Sequence, residues 1–336
     1  MPVSKCWPLL ARYAVSALIL AGIALGGLFL WLVWRNTRWT EVAAALADIS
    51  PPLLGGAAAV VLASMVLRAA RWRALWPGGG VSTGRLFLVE NAALGLNNIS
   101  PIRLLDEPAI LAMLTLRDRL PVGRVVATLL MSRMQDLTFT LAFGALALLV
   151  MPRILEVARP IGFTVVILMA LLLAHVNLPF LVRRVTPLRR VPGLVAYSAT
   201  MRRMWRQPRL LASSAALTVA YWLLLRPAAW LLARGMGLDI SLPAATVVAI
   251  GTIMFSTTTP GLPGAVGTFE WATVALLGLW GVDKEAGIGY ALAMRALTFV
   301  PQVAIAAFVL PGEGLASLGA IRRPLAAAEE AEGDGM

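Results

Sequence analysis

Two long apolar stretches of this chain are each interrupted, midway, by a short polar segment carrying proline. The first runs from Phe87 to Leu96, breaks at Asn97-Asn98-Ile99-Ser100-Pro101-Ile102-Arg103, and resumes from Ile110 to Leu116. The second runs from Val247 to Phe255, breaks at Ser256-Thr257-Thr258-Thr259-Pro260-Gly261-Leu262-Pro263-Gly264, and resumes from Trp271 to Trp280. Each reads as two half-helices joined by a break. In hydrocarbon, non-helical backbone survives only where protein or a watery cavity satisfies its polar groups. The pair therefore predicts two re-entrant hairpins.

The surroundings are those of a membrane protein. Of 336 residues, 59% are apolar and 14% charged, with a mean hydropathy of +0.81. So little charge cannot cover a globular surface, which excludes a soluble enzyme. Six stretches, near 12–34, 52–70, 121–151, 160–182, 210–234 and 285–310, reach the roughly 20 apolar residues that a spanning helix needs. The first is too long for the core of a cleavable signal. With the N-terminus inside, 19 basic residues fall in cytoplasmic segments and 6 outside, as the positive-inside rule requires. This map puts the chain in the cytoplasmic (inner) membrane, multi-pass, with both termini cytoplasmic. Residues 312–336 are expected to be a cytoplasmic, disordered tail, acidic from Glu329 to Met336, and 186–208 is either an interfacial helix or a solvated linker. Nothing forms the basic face of a soluble nucleic-acid module. Single copies of cysteine (Cys6) and histidine (His175) argue against thiolate or histidine metal sites, and no cofactor motif occurs.

The chain also repeats itself. Leu67-Arg68-Ala69-Ala70-Arg71-Trp72 and Leu225-Arg226-Pro227-Ala228-Ala229-Trp230 share one pattern. Each is followed by a broken stretch and then by an arginine after methionine, at Arg133 and Arg295. Paired markers lie 158 (Arg68 and Arg226), 159 (Pro101 and Pro260) and 162 (Arg133 and Arg295) residues apart. Three spans separate the starting helices, so the second copy runs in the opposite direction, as in transporters whose paired helix breaks mark the binding site. The expected architecture is an all-α polytopic membrane protein with about six spanning helices and two re-entrant half-helix hairpins. These form one domain over 1–311, with repeat halves near 52–151 and 210–310.

Charges at membrane depth are costly and mark function or pairing. Arg103, Arg133, Arg226 and Arg295 fall there, with Asp106, Glu107, Asp136 and Glu270. Two readings stay open. The charges neutralise one another as structural pairs, Arg133 with Asp136 being three apart on one helix. Alternatively, Arg103, Arg133 and Arg295 converge on an anionic headgroup, since guanidinium matches phosphate in a bidentate fork. Half-helices starting near Asp106 and Thr268 would point positive dipole ends at the same place. Gly264 and Gly267, with Gly261, let the second loop turn tightly around a ligand, and Asn98 lies at the first break. Asp106, Glu107 and Glu270 either cap those half-helices or couple transport to a proton or cation.

The stretches from Leu94 to Leu137 and from Pro260 to Gln302 resemble the membrane region of the lysylphosphatidylglycerol synthase family, also described as flippase-like integral membrane proteins. The residues that carry this are Arg68-Ala69-Ala70-Arg71-Trp72-Arg73, Asn98-Ile99-Ser100-Pro101-Ile102-Arg103, and Arg133 with Asp136. The second half adds Pro263-Gly264-Ala265-Val266-Gly267-Thr268-Phe269-Glu270, Gly281-Val282 and Met294-Arg295. Leu105, Asp106 and Ala109 stand where the family usually has glycine, glutamate and arginine, and Ser132 where it commonly has glutamate. The resemblance implies a domain that moves a modified phospholipid or lipid-linked molecule between leaflets. Bifunctional members carry an aminoacyl-transferase domain after the membrane part; here Met336 follows soon after the last span, so no enzyme activity is expected.

The leading expectation is thus a lipid translocase that binds membrane lipids through an anionic headgroup. The alternatives are a secondary transporter of a small anionic solute and a non-catalytic membrane partner of a lipid-modifying enzyme. Substrate, energy source and oligomeric state are not written in the sequence.

Overall fold

The computed structural model describes residues 20, 22–76, 80–100, 105–150, 184, 192–259 and 262–314. Among these residues the chain is helical throughout, with no strand. The helices are α1 (Gly22–Trp34), α2 (Trp39–Ala47), α3 (Pro51–Ala74), α4 (Thr83–Ile99), α5 (Asp106–Ala112), α6 (Val122–Val150), α7 (Pro192–Trp205), α8 (Pro208–Gly235), α9 (Leu242–Thr258), α10 (Thr268–Gly278) and α11 (Lys284–Gly312). Three of them, α3, α8 and α11, are long and apolar enough to cross a membrane. The expected stretch 160–182, His175, the Arg103 guanidinium and residues 315–336 lie outside the described residues. The first expected span is described from Gly22 as a shorter apolar helix.

Both breaks are present as breaks. The 17 residues of α4 end at Ile99 and α5 starts at Asp106; the 17 residues of α9 end at Thr258 and α10 starts at Thr268. At about 1.5 Å per residue, the 11 residues of α10 cover roughly half of a hydrocarbon core about 30 Å thick. After α5 the chain continues through one π-helical turn, Met113–Arg117, a feature associated with functional sites.

Helix lengths agree with the expected internal repeat. α4 and α9 have 17 residues each, and α6 and α11 have 29 each. Thr83 and Leu242 start their helices 159 residues apart, and Val122 and Lys284 start theirs 162 apart. Both 17-residue helices are capped by a serine. Ser82 Oγ accepts from the Arg85 amide at 3.1 Å, and Ser241 Oγ accepts from the Ala244 amide at 3.4 Å. An N-cap hydroxyl satisfies a donor that the first turn leaves unpaired.

The repeat-related helices α3 and α8 pack closely along each other. Fully buried Ala57, Ala228, Ala229 and Ala233 fill this region, and small residues let helix backbones approach in a bilayer. α4 lies along α11. A second core gathers Trp72, Leu86, Val89, Ile110, Met113 and Val125, together with Met201 and Met204 of α7. The segment expected as interfacial helix or linker is therefore, in its described part, a helix whose methionines enter the core against α6.

Charge clusters fasten both ends of α11. At its start, Arg38 Nε lies 3.4 Å from Glu285 Oε1, and Lys284 Nζ donates to the Arg35 carbonyl at 2.7 Å. At its end, Glu313 accepts from Arg85 at 2.8 and 3.0 Å and pairs with Arg117, while Arg85 Nε also donates to Asp118 at 2.8 Å. The start of α4 and the turn after α5 are thereby tied to one carboxylate. Burial pushes the Glu313 carboxyl up, and the two guanidiniums outweigh it, holding it below the usual carboxylate range.

Candidate functional site

Between the two repeats lies a cavity of about 770 Å³, within the range of ligand sites (about 300–1,000 Å³). Helices α3 to α6 of the first repeat and α8 to α11 of the second all contribute to its wall. Among the described residues, the charged ones in that wall are Arg68, Asp106, Glu107 and Arg133. Among the described residues, two cations thus face two carboxylates, and Glu90 stands behind Arg68.

Arg133, on α6, reaches both acids in the first turn of α5. Its Nη2 donates to Asp106 Oδ2 at 3.2 Å, and its Nε lies 3.4 Å from Glu107 Oε1. These are long contacts. The side chains of Arg133 and Glu107 are 31% and 49% exposed. Neither acid caps α5: the N-cap position is Leu105, with no side-chain cap bond. The capping reading of Asp106 and Glu107 is thus replaced by pairing with Arg133.

The second half uses the same residue types differently. Arg295 Nη1 donates to the Gly264 carbonyl at 2.6 Å, and Nη2 donates to the Ala265 carbonyl at 3.2 Å and pairs with Glu270 at 2.6 Å. Its guanidinium sits between the rings of Phe269 and Phe299, each 4.9 Å away. Arg295 does not line the cavity. It holds the tip of the second break, where Gly264 turns with φ 64° and Gly264 and Ala265 face the cavity. Glu270 also accepts from the Gly267 amide at 2.7 Å, so it does cap α10. That bond occupies the helix end expected to bind an anion. Gly267, expected at the ligand, is turned elsewhere: it has φ 87°, and a Cβ there would stand 2.2 Å from the Gly26 carbonyl of α1. The residue serves helix packing.

Asn98 lines the cavity and donates to Gln302 Oε1 at 2.8 Å, joining α4 to α11. Asp136 is not Arg133's partner. It takes both arms of Arg71, which is fully buried and also donates to Ser132 Oγ at 2.8 Å; the Trp222 indole donates to Asp136 at 3.0 Å. This network binds α3, α6 and α8 together. Arg226 lies over the Phe143 ring at 5.3 Å, away from the cavity wall.

One cavity arginine was overlooked in the sequence. Arg68, noted there as a repeat and family marker, lines the cavity within α3, with Nη2 donating to Asn91 at 2.8 Å and Nε 3.2 Å from Glu90. The available signal was Glu90 itself, a carboxylate inside the apolar run of the first break, where an ionisable group calls for a partner. Asp136 gave the same signal, but Arg133, three residues away, stood nearer in the sequence than its actual partner Arg71.

No curated protein matches the chain. The family model for the lysylphosphatidylglycerol synthase TM region matches residues 19–306, from α1 through most of α11, and so takes in both breaks and the cavity between them. The chain belongs to the lysylphosphatidylglycerol synthase TM-region family.

Proposed function

We propose that this chain is a lipid translocase of the cytoplasmic membrane, with both termini cytoplasmic, moving an anionic phospholipid or lipid-linked molecule between leaflets. The observation that supports this most is Arg133: a guanidinium in the wall of a cavity shared by two repeats, held only by long contacts to side chains that can move aside. A phosphate offers two oxygens to the same fork and makes a shorter, charge-assisted pair. In this reading the two broken stretches are re-entrant hairpins, the headgroup crosses between them, and the acyl chains stay in the bilayer. Asn98 and the Gly264 tip border the headgroup, while Arg295 positions that tip. The protein makes and breaks no covalent bond; a lipid-modifying enzyme is the natural source of its cargo.

The test is reconstitution into phosphatidylcholine vesicles containing labelled phosphatidylglycerol, with the inward-facing fraction followed over time. Wild-type protein is expected to equilibrate the label, and Arg133→Ala to slow it at least about tenfold, the loss of a charge-assisted contact. Unchanged movement in Arg133→Ala defeats the assignment. Uptake of a small oxyanion without lipid movement transfers the site to a solute carrier.

A further inference from the structure

The carboxylates on Arg133 have a consequence that the translocase reading does not itself contain. Asp106 and Glu107 are adjacent in the first turn of α5, and Arg133 is the one cation among the described residues that pairs with either. Formally the three groups carry one negative charge. A phosphodiester that replaces the acids on Arg133 adds another and leaves two carboxylates beside an anion in a partly dehydrated cavity. Uncompensated charge in such surroundings is resolved by protonation rather than tolerated. Building on the translocase reading, we infer that binding of an oxyanion at Arg133 takes up one proton, carried by the Asp106 and Glu107 pair. The count balances: anion and proton enter together and the cluster keeps its single negative charge.

The neighbouring groups leave that role to this pair. From α6 comes Arg133 alone, because Asp136 is held by Arg71 and Trp222. From α4 come the neutral Asn97, which accepts from the Leu105 amide at 3.4 Å, and Asn98. Across the cavity, α3 presents Arg68, already beside Glu90. Tyr221 comes from α8, and Tyr290 from α11 donates to the Ala229 carbonyl at 3.0 Å. The second break shows the contrasting arrangement. Glu270 has the Gly267 amide as well as Arg295, so its charge is supported whatever the cavity holds.

The sign follows from linkage. The bound anion raises the pKa of the acid pair, so binding is tightest below the pair's pKa in the unliganded protein. It weakens by up to about tenfold per pH unit as pH rises toward the liganded pKa. The experiment measures affinity of the full chain, in nanodiscs of neutral lipid, for dihexanoyl phosphatidylglycerol and separately for inorganic sulfate, between pH 5 and 8. Both probes keep constant charge over this range. Wild-type affinity for at least one probe is expected to fall by about tenfold per unit over part of the range. The double variant Asp106→Asn, Glu107→Gln is expected to vary less than twofold and to bind more tightly than wild type at pH 8. A slope with the lipid alone assigns the site to a headgroup, and an equal slope with sulfate assigns it to free oxyanions. Wild-type binding that is flat with pH, or a slope that survives in the double variant, overturns the coupling and leaves the translocase reading standing. Absence of binding to either probe at every pH overturns both.

Discussion

The two helix breaks contain the same ingredients and hold them in opposite ways. Each has an arginine on the following 29-residue helix and an acid in the first turn of its half-helix. At the second break, Arg295 is closed onto two backbone carbonyls, a carboxylate and two aromatic faces. At the first, Arg133 has two side-chain carboxylates at 3.2 and 3.4 Å and stays partly exposed to the cavity. Partners on the backbone are fixed by the loop they belong to; partners on side chains can rotate away. The lesson is a division between matching positions: one arginine closes the tip of its break and the other stays in the cavity wall.

That contrast can be broken most directly at Arg295. Arg295→Ala takes the cation from Glu270, which keeps only the Gly267 amide, and the donor from the Gly264 carbonyl; removing one partner of a buried ion pair costs about 3–5 kcal/mol. The expected result is a large fall in Tm for the detergent-solubilised protein, or loss of folded material; a Tm within a degree of wild type would show that the tip does not depend on it. The next test is Gly267→Ala. Its positive φ and the 2.2 Å approach to Gly26 predict a cost of about 1–3 kcal/mol. The same change at Leu105, which caps α5 with an ordinary φ of −94°, should move Tm by far less.

Glu313→Gln removes the anchor that ties the first break to the end of α11, and should cost about 1.5 kcal/mol near neutral pH. Because its carboxyl is held below the usual range, the stability it adds is present above that range and is lost as pH falls through it. The Tm difference from wild type should therefore shrink toward acid pH; a constant difference would refute the charge pairing. The smallest effect on stability is expected for Arg133→Gln, within about 1 kcal/mol, since the group is partly exposed and its contacts are long. Lipid movement should nonetheless fall sharply. A stability loss as large as that of Arg295→Ala would erase the distinction between the two breaks.

Particular residues show how far the sequence could be read. The breaks were legible because apolar runs stopped short of a spanning length around proline, but their starts were not: Asn97–Ile99 still belong to α4 and Ser256–Thr258 to α9. The repeat was legible because Arg133 and Arg295 fall in step, and the helices that carry them have equal length. The sequence offered Arg133 as a partner for Asp136, as one of two open readings, because three-residue spacing on one helix is visible there, whereas the partner in the structure, Arg71, is 65 residues away. Gly267 was read as a ligand glycine because glycine beside a break says that the backbone can turn or be approached closely, not by what; the approaching group is a carbonyl of α1.

The amino-acid order alone determined that this chain belongs in a bilayer, that matching motifs recur about 160 residues apart, and that charged groups sit inside apolar runs. Those properties follow from hydropathy and spacing, which are local and additive along the chain. Which carboxylate meets which arginine was decided only by the tertiary structure, because pairing in a low-dielectric interior depends on distances between helices remote in sequence. Arg133 and Arg295 look interchangeable as letters; packing makes one a strut and leaves the other facing the cavity.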